Sequence, residues 1–392
     1  MQDVQEKPLL PPPSPRRLFF SFLRLGTTAF GGPAMIAHIR ELAVGRKRWL
    51  DQEAFRDGVA LCQTIPGATA MQMAAYVGLR LQGVRGAIAS YLGFGLPAFL
   101  LMTLLSVLYA RTHSLPAVVA VFSGLQAIIV AIVASAAISF GRNSLTRWQH
   151  GLVALMAAGL FGLAVHPVLI LILAALLRLA LHNGQPIPPQ TEPRTRMPST
   201  TLPLLFLLAA AGAGFGLLVF FRSGLAQLAL IMTRVDLMAF GGGFASVPLL
   251  FHEIVETHAW LAAPTFLDGI ALGQLTPGPI VITATFVGYL LHGLAGAFVA
   301  TTAMFLPSLL LVIGTAPYFA RLRASCWFNR AIDGVLCSFV GLLCTVSIRL
   351  ALHVHWDWLH LLLGAAAFGA LFKKIDLLWV VLAGGTVAIF LF

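Results

Sequence analysis

Two short motifs interrupt apolar segments of this chain, and they constrain its fold more than any other feature. The first is Ala60-Leu-Cys-Gln-Thr-Ile-Pro-Gly67, and the second is Ala271-Leu-Gly-Gln-Leu-Thr-Pro-Gly278. A Pro-Gly break frees backbone N–H and C=O groups that lipid cannot satisfy, so it is tolerated only where protein or a hydrated cavity surrounds it. Two such breaks in corresponding halves of a chain are typical of the binding site of a transporter.

Composition indicates that this chain is a membrane protein. Only 10% of its residues are charged and 59% are hydrophobic, whereas a soluble domain carries about 25% charged residues. We therefore predict an all-α polytopic membrane protein whose main surroundings are the lipid bilayer. The net charge of +11 is explained by basic cytoplasmic loops, so no nucleic-acid partner is expected. The sequence has no Ser/His/Asp elbow, Walker sequence or HExxH element, so we expect neither an enzyme nor a cofactor or metal site.

The two halves of the chain repeat each other. Phe30-Gly-Gly matches Phe240-Gly-Gly at an offset of 210 residues, and the Pro-Gly motifs match at 211. Glycines and prolines recur in order at further matched positions, so the chain is an internal duplication. The predicted organisation is a disordered cytoplasmic tail at 1–17, a repeat at 18–182, a linker at 183–200, a connecting transmembrane helix at 201–224 and a second repeat at 225–392.

The distribution of basic residues predicts the topology. An even number of segments per copy, with one extra crossing between the copies, makes the repeats inverted, which is the architecture used for alternating access. If Arg24 and Arg234 are set aside because they lie within segments, 13 full crossings put 15 basic residues inside and 8 outside. Re-entrant Gly-Gly and Pro-Gly segments put 20 inside and 3 outside. Since basic residues gather in the cytoplasm, we favour broken, re-entrant motif helices, a cytoplasmic N-terminus and a periplasmic C-terminus.

Residues beside the breaks are the candidates for binding an anion. Arg24 and Arg234 each stand six residues before a Phe-Gly-Gly break; an intramembrane arginine needs a partner, unless it reaches the interface. Helix N-termini offer unpaired N–H groups to an oxyanion, and glycine lets the anion approach the backbone. The predicted substrate-binding residues are Arg24, Gly31, Gly32, Gln63, Pro66, Gly67, Arg234, Gly241, Gly242, Gln274, Pro277 and Gly278.

Two aspartates occupy matched positions before the Pro-Gly motifs. Asp57 and Asp268 each lie six residues before the motif glutamine. A carboxylate within a membrane could take up and release a coupling proton. The alternative is that each aspartate caps the N-terminus of its helix, a common role for this residue. Both interpretations stay open at the level of sequence.

These motifs resemble those of the chromate ion transporter family in its long, two-domain form. The resemblance covers the chain from about Phe19, and Ala68 stands where the family often has a second proline after the glycine. It implies a proton-coupled secondary transporter of a bacterial inner membrane that exports chromate and confers chromate resistance. The alternative is a permease for sulfate or a related tetrahedral oxyanion, and assembly as a homodimer is left open. The motifs that carry the resemblance are Phe30-Gly-Gly-Pro33, Trp49-Leu50, Leu61-Cys-Gln-Thr-Ile-Pro-Gly67, Phe240-Gly-Gly-Gly243, Trp260-Leu261 and Leu272-Gly-Gln-Leu-Thr-Pro-Gly-Pro279.

Overall fold

The computed structural model describes residues 11–30, 32–181, 200–221 and 223–392. Within these ranges every regular element is helical and there is no strand. Five of the described helical segments are long and apolar enough to cross a membrane: Thr69–Thr112, Pro116–Ser144, Thr201–Phe221, Ile280–Tyr318 and Cys326–His353. The prediction of an all-α polytopic membrane protein is therefore confirmed.

The helices follow the duplication. The first repeat contains α1 (Pro15–Gly26), α2 (Gly32–Arg40), α3 (Gln52–Thr64), α4 (Thr69–Thr112), α5 (Pro116–Ser144), α6 (Trp148–Gly162) and α7 (Pro167–Ala180). The connecting helix is α8 (Thr201–Phe221). The second repeat contains α9 (Ser223–Met238), α10 (Ser246–Phe251), α11 (Ala263–Leu275), α12 (Thr283–Thr315), α13 (Phe319–Ala324), α14 (Cys326–His353), α15 (Trp358–Phe372) and α16 (Leu377–Leu391).

Short irregular helices complete these elements. π-Helical turns continue α2 over Glu41–Arg46 and α10 over His252–Thr257. Residues 1–10 of the predicted tail and 182–199 of the predicted linker lie outside the described residues. α1 begins at Pro15, inside the predicted tail, because the Ser14 hydroxyl accepts a hydrogen bond from a first-turn N–H and proline suits the start of a helix.

α4 and α12 each consist of two helical arms that reverse direction at a glycine. Gly83 and Gly293 both have φ of +60°, a left-handed conformation that glycine adopts without steric cost. Across the first reversal, the Ser90 hydroxyl donates to the Ala74 carbonyl at 2.6 Å, although residues this far apart in a continuous helix are about 24 Å apart. A hydroxyl contact across α12 spans the same separation. Each reversal therefore joins a short arm to a long arm that can cross the membrane.

Each Pro-Gly motif lies at the tip of a re-entrant hairpin. In the first copy, the short arm of α4 returns antiparallel to α3, because the Tyr76 hydroxyl donates to the Ala54 carbonyl at 3.2 Å. The Tyr76 ring also packs on Gly58, with ring carbon 2.4 Å from where a Cβ would stand. In the second copy, Phe286 packs on Gly269 in the same way. A helix that continued straight through the motif would separate these residues, so each motif segment folds back on itself, as a re-entrant hairpin would.

Two ion pairs independently support the hairpins. Arg323 lies 3.4 Å from the Asp57 carboxylate, and Arg349 binds the Glu256 carboxylate. With 13 full crossings, the partners of each pair would lie on opposite faces of the membrane. Re-entrant motif segments place both partners on one face, and therefore account for both pairs.

The long arms of α4 and α12 show that the repeats are inverted. The Tyr91 hydroxyl donates to the Phe305 carbonyl at 2.5 Å, and the rings of Phe99 and Phe298 are 6.4 Å apart. Residue numbers increase along one arm in the direction in which they decrease along the other, so the two arms run antiparallel. Because the arms are homologous, the two repeats have opposite orientations, and the connecting helix α8 joins them as predicted.

The repeats also exchange their outer helices. α15 and α16 pack on α5 of the first repeat, while α6 and α7 pack on α14 of the second. Small residues permit the close approach that drives helix association in membranes. A Cβ on Gly341 would stand 2.2 Å from the Ala154 carbonyl oxygen, and one on Gly384 would stand 2.0 Å from Ile128. The two homologous units are therefore intertwined, with the motif turns between them.

Candidate anion site at four crossing turns

Four turns, two from each repeat, meet inside the bundle. The Gly67 N–H donates to the Ala239 carbonyl at 2.9 Å, and the Gly278 N–H donates to the Ala29 carbonyl at 2.9 Å. Each bond joins the Pro-Gly turn of one repeat to the Phe-Gly-Gly turn of the other. We call this group of turns the four-turn centre, and it comprises residues 27–30, 65–68, 239–243 and 276–279. Gly31 lies outside the described residues, and Gly32 begins α2.

The glycines of the four-turn centre are required by its backbone. Gly67 and Gly278 have φ of +117° and +118°, and Gly241 and Gly242 have φ of +92° and +100°. Side chains rarely adopt such angles. At Gly67 space is lacking as well, because a Cβ would stand 1.9 Å from the Ser308 hydroxyl oxygen. The two Pro-Gly turns therefore share one backbone shape although their surroundings differ.

Several backbone donors at the breaks already have protein partners. The Gly67 and Gly278 N–H groups hold the repeats together, and the Ala68 N–H donates to the Ser308 hydroxyl oxygen at 3.3 Å. The first N–H groups of a helix have no intrahelical acceptor. In the first copy these groups belong to Thr69 and Ala70, at the start of α4. The donors that remain for a ligand thus lie just after the turn that Pro66 and Gly67 form.

The two candidate arginines have different surroundings. The Arg234 guanidinium binds the buried Glu253 carboxylate, and His166 and His258 lie 3.6 and 3.7 Å from that carboxylate. A small cleft between Arg234, Glu253 and His166 opens beside the start of α7. Arg24 is exposed on α1 and forms no ion pair with any residue that the structure describes. The second-copy arginine is thus paired with a carboxylate, whereas the first-copy arginine has no anionic partner among the described residues.

The two motif glutamines also differ. Gln63 is exposed on α3, whereas Gln274 is 7% exposed and its Nε2 has no hydrogen-bond partner. A third glutamine, Gln72, donates to the Pro66 carbonyl at 2.5 Å, while its buried Oε1 lacks a donor. Buried polar atoms without partners are uncommon and costly. Their presence on both sides of the four-turn centre indicates a place where a polar ligand or water can bind.

Asp57 and Asp268 lie within helices, so the interpretation of both as N-caps is wrong. α3 begins at Gln52, and the carboxylate of Asp51 accepts the Ala54 N–H at 2.6 Å. α11 begins at Ala263. Each helix starts more than one turn before its aspartate, because Asp51 caps the start of α3 and Pro264 lies in the first turn of α11.

The contacts of the two aspartates are not equivalent. Asp268 is buried, and its carboxylate accepts hydrogen bonds from the Tyr109 hydroxyl at 2.8 Å and from the Gln126 amide at 2.9 Å. Asp57 is partly exposed and faces Arg323. Residues in α4 and α5 therefore hold the second-copy hairpin through its aspartate, while an ion pair at the surface holds the first-copy hairpin.

The structure adds a buried pair that the sequence analysis did not identify as part of the site. Asp236 is 1% exposed, and both of its carboxylate oxygens accept from the Ser308 hydroxyl, at 2.9 and 2.8 Å. The matched residues 210 positions earlier are Gly26 and Ala98. The available signal was that both matched positions are small and apolar in the first copy but polar in the second. This signal indicates a site only once the fold shows that the two positions are in contact.

Comparisons with known proteins agree on one family. The family model described as Chromate transporter matches residues 16–179 and again residues 226–389. The chain is 39% identical over 374 residues to an uncharacterized transporter of Methanocaldococcus jannaschii, covering 94% of this chain and 92% of that protein. It is 32% identical over 341 residues to a chromate transport protein of Cupriavidus metallidurans, covering 86% and 82%. A chromate transport protein of Pseudomonas aeruginosa is 31% identical over 373 residues, covering 89% and 84%. No solved structure matches.

Proposed function

This chain belongs to the chromate transporter family of multi-pass membrane proteins, and we propose that it exports chromate from the cytoplasm through the four-turn centre. The observation that carries this proposal is the reciprocal pair of bonds from Gly67 to Ala239 and from Gly278 to Ala29. These bonds join the two inverted repeats at their helix breaks. In transporters with inverted repeats, substrate binds at such breaks near the middle of the membrane.

The proposed binding residues divide by what they supply. Helix N-termini attract anions through their N–H groups and dipoles, so the start of α4 after Gly67 is the proposed main contact for the dianion. Gln63 and Gln274 supply neutral hydrogen bonds, and Arg24 and Arg234 supply positive charge. The remaining predicted residues shape the turns: Pro66, Gly67, Gly241, Gly242, Pro277 and Gly278, together with Gly31 and Gly32.

Coupling to protons is the second part of the proposal. Asp57 and Asp268 belong to hairpins that enter from opposite faces, so each carboxyl group stands at one mouth of the path. The distribution of basic residues supports a cytoplasmic N-terminus and a periplasmic C-terminus in a bacterial inner membrane. On that orientation, Asp57 with Arg323 lies at the cytoplasmic mouth, and Asp268 with Tyr109 lies at the periplasmic mouth.

The proposal is tested by chromate accumulation in everted membrane vesicles, with and without a pH gradient, and with sulfate as competitor. The informative variant is Arg234→Gln combined with Glu253→Gln, because removing the arginine alone would leave a buried carboxylate unpaired at a cost of about 3–5 kcal/mol. We expect accumulation to fall roughly tenfold or more, since a lost charge contact exceeds about 1.4 kcal/mol.

The matched control is Arg349→Gln with Glu256→Gln, which removes an ion pair outside the proposed path and should leave accumulation intact. Undiminished chromate flux in a well-folded Arg234→Gln, Glu253→Gln protein would remove Arg234 from the site. Robust sulfate movement without chromate accumulation would replace the proposed substrate with sulfate, a tetrahedral dianion with the same hydrogen-bonding character.

A further inference from the structure

We propose that Asp236 binds the coupling proton, and that a dianion occupies the neighbouring Gly67 turn only when Asp236 is protonated. This inference rests on the proposed oxyanion transport and names the group through which a proton acts on that site. The carboxyl groups of Asp57 and Asp268 stand at the mouths of the path, whereas Asp236 stands at its centre.

A chain of hydrogen bonds connects Asp236 to the turn. The Ser308 hydroxyl donates to the Asp236 carboxylate at 2.8 Å, and its oxygen accepts the Ala68 N–H at 3.3 Å. Ser308 and the Gln72 amide both lie against Gly67, 1.9 and 2.8 Å from where a Cβ would stand. A change in the charge of Asp236 therefore changes the hydrogen bonding and the electrostatic potential at the first-copy Pro-Gly turn.

Asp236 has no cationic partner among the residues that the structure describes. Arg234, on the same helix, faces the other way and binds Glu253. A buried carboxylate without a cation is costly to keep charged. Of the described groups only a neutral hydroxyl compensates it, so protonation is the available route to neutrality.

The elements packed against α9 bring few other ionisable groups. α8 and α10 carry none, although the π-helical continuation of α10 carries His252 and Glu253. α12 carries Tyr289 and His292, and His292 lies against Gly224 at the far end of α9, roughly 18 Å along the helix from Asp236. On α4, the nearby Tyr91 donates its hydroxyl to the Phe305 carbonyl. None of these supplies a charge that would compensate Asp236.

The second Pro-Gly turn lacks every part of this arrangement. Pro279 replaces Ala68 and has no N–H to donate, and Ala98 replaces Ser308 at the close approach to Gly278. Gly26 replaces Asp236, and a Cβ there would stand 2.5 Å from the Phe94 carbonyl oxygen. An acidic side chain is thus excluded from the first-copy position by backbone packing. The inverted repeats therefore hold one carboxyl group beside a Pro-Gly turn, not two.

Protonation also supplies a missing hydrogen-bond donor. The buried Oε1 of Gln72 has no donor, and an oxyanion offers only acceptors. When a proton from water adds to the Asp236 carboxylate, the new O–H donates to the Ser308 oxygen. The Ser308 hydroxyl hydrogen is then free to turn toward Gln72. The proton leaves to water by the reverse route when the anion departs.

The electrostatic consequence is mutual. A dianion and a carboxylate repel each other strongly in a site of low dielectric constant, so protonation of Asp236 favours anion binding. By thermodynamic reciprocity, anion binding must then favour proton uptake by the same factor. The transporter therefore takes up a proton together with its anion, which is directly measurable.

The test uses the purified full-length protein with sulfate and chromate as probes. Proton uptake on anion addition is followed with a pH indicator in weak buffer, and anion affinity is measured across neutral pH. Because chromate itself takes up a proton near neutral pH, each variant is compared with the wild type in the same buffer, and sulfate provides the reading free of this contribution. In the wild type, we expect affinity to fall about tenfold or more from acidic to alkaline pH.

Asp236→Asn mimics the protonated state and is expected to bind anion with little pH dependence and without proton uptake. It should retain anion exchange but lose accumulation driven by a pH gradient that is acidic on the side from which the anion enters. Ser308→Ala copies the first repeat and removes the hydrogen bond that favours the charged carboxylate, so it should shift the pH dependence of binding toward higher pH. This second variant keeps the proposal testable if Asp236→Asn does not fold. Asp376→Asn, which alters an exposed helix cap, is the matched control and should resemble the wild type.

The two levels of the proposal fail in different ways. If the wild type binds neither anion, the proposed function is overturned. If the wild type binds anion but Asp236→Asn keeps the wild-type pH dependence and proton uptake, or Ser308→Ala leaves the pH dependence unshifted, the role of Asp236 is overturned alone. Loss of proton uptake in Asp57→Asn or Asp268→Asn, with Asp236→Asn unaffected, would move the coupling site to a mouth of the path.

Discussion

The two re-entrant Pro-Gly hairpins have the same backbone but different packing. Their glycines differ by one degree in φ, at +117° and +118°. In α11, every residue from Phe266 to Gln274 is buried, whereas the matched part of α3 exposes Arg56 and Gln63. The turn itself is therefore the repeated unit, and what distinguishes the copies is how closely the rest of the protein packs around it.

The difference traces to a few matched positions. Tyr109 and Gln126, which donate to Asp268, correspond to Phe319 and Leu336 in the other repeat. These apolar residues cannot donate to Asp57, which turns to Arg323 instead. The second-copy hairpin is thus tightly packed and hydrogen-bonded, whereas the first-copy hairpin is packed more loosely. An inverted-repeat transporter needs its two halves in unlike states at any moment, and this structure shows that asymmetry.

The largest effect expected from the comparison is side-specific labelling of matched loops. In a protein without native cysteines, Gly45→Cys and Asp51→Cys should react with impermeant reagents only from the cytoplasm. Thr257→Cys, in the matched loop of the inverted repeat, should react only from the periplasm. Labelling of all three from one side would contradict the inversion, and the reverse assignment would restore 13 full crossings.

Next in size is the response of the two turn glycines to substitution. Gly67→Ala and Gly278→Ala both force alanine into a left-handed conformation, which costs about 1–3 kcal/mol. Gly67→Ala also meets the Ser308 hydroxyl, whereas Gly278→Ala meets only the Ala98 methyl, 2.9 Å away. We expect Gly67→Ala to lower thermal stability in detergent more than Gly278→Ala.

The control for these variants is Gly151→Ala, in an open position on α6, where alanine should stabilise the helix by about 0.5–1 kcal/mol. Equal losses at the two turns would show that Ser308 does not distinguish them. A larger loss at Gly278 would contradict the comparison.

Making the second copy resemble the first should loosen its hairpin. Tyr109→Phe with Gln126→Leu leaves the Asp268 carboxylate without its two donors, and we expect a stability loss of about 1–3 kcal/mol. A cysteine at Gln274 should then become more reactive. Tyr318→Phe, at an exposed tyrosine, serves as the control. Unchanged reactivity of the cysteine at position 274 in the double variant would show that the hydrogen bonds to Asp268 do not keep the second-copy hairpin tightly packed.

The smallest effect on stability is expected from the first-copy hairpin. Arg323→Gln breaks a partly exposed ion pair with Asp57, and such pairs contribute at most about 1 kcal/mol. Thermal stability should change little, and the small change should shrink further at high salt. A loss as large as that of the Tyr109 and Gln126 variant would mean that both hairpins are equally tightly held.

The sequence predicted the parts of the fold that depend on local chemistry. Repeated glycines revealed the duplication, and the basic residues from Arg40 to Arg56 favoured hairpins over full crossings. Both inferences rest on strong constraints, namely the cost of unsatisfied backbone in lipid and the placement of cationic loops. The exchange of α15 and α16 onto α5 was not predictable, because apolar helices of similar composition do not indicate which neighbour they choose.

The site was harder to predict because its chemistry depends on contacts between repeats. The Gly67 N–H was expected to be available to an anion, yet it bonds to Ala239. Asp236 and Ser308 are 72 residues apart in sequence, and no local pattern joins them. Arg234 was expected to need an anionic partner, and the structure supplies Glu253 from within the chain. Spacing identified the turns, but only the fold could show which of their donors remain free.

The most direct test of this account is the reactivity of cysteines at Gln63 and Gln274 in reconstituted protein, measured from each side with and without chromate. The account predicts fast labelling of Gln63→Cys from the cytoplasmic side and slow labelling of Gln274→Cys, with chromate changing both rates in opposite directions. Equal rates at the two positions, unaffected by chromate, would contradict an anion path that the two hairpins open in turn.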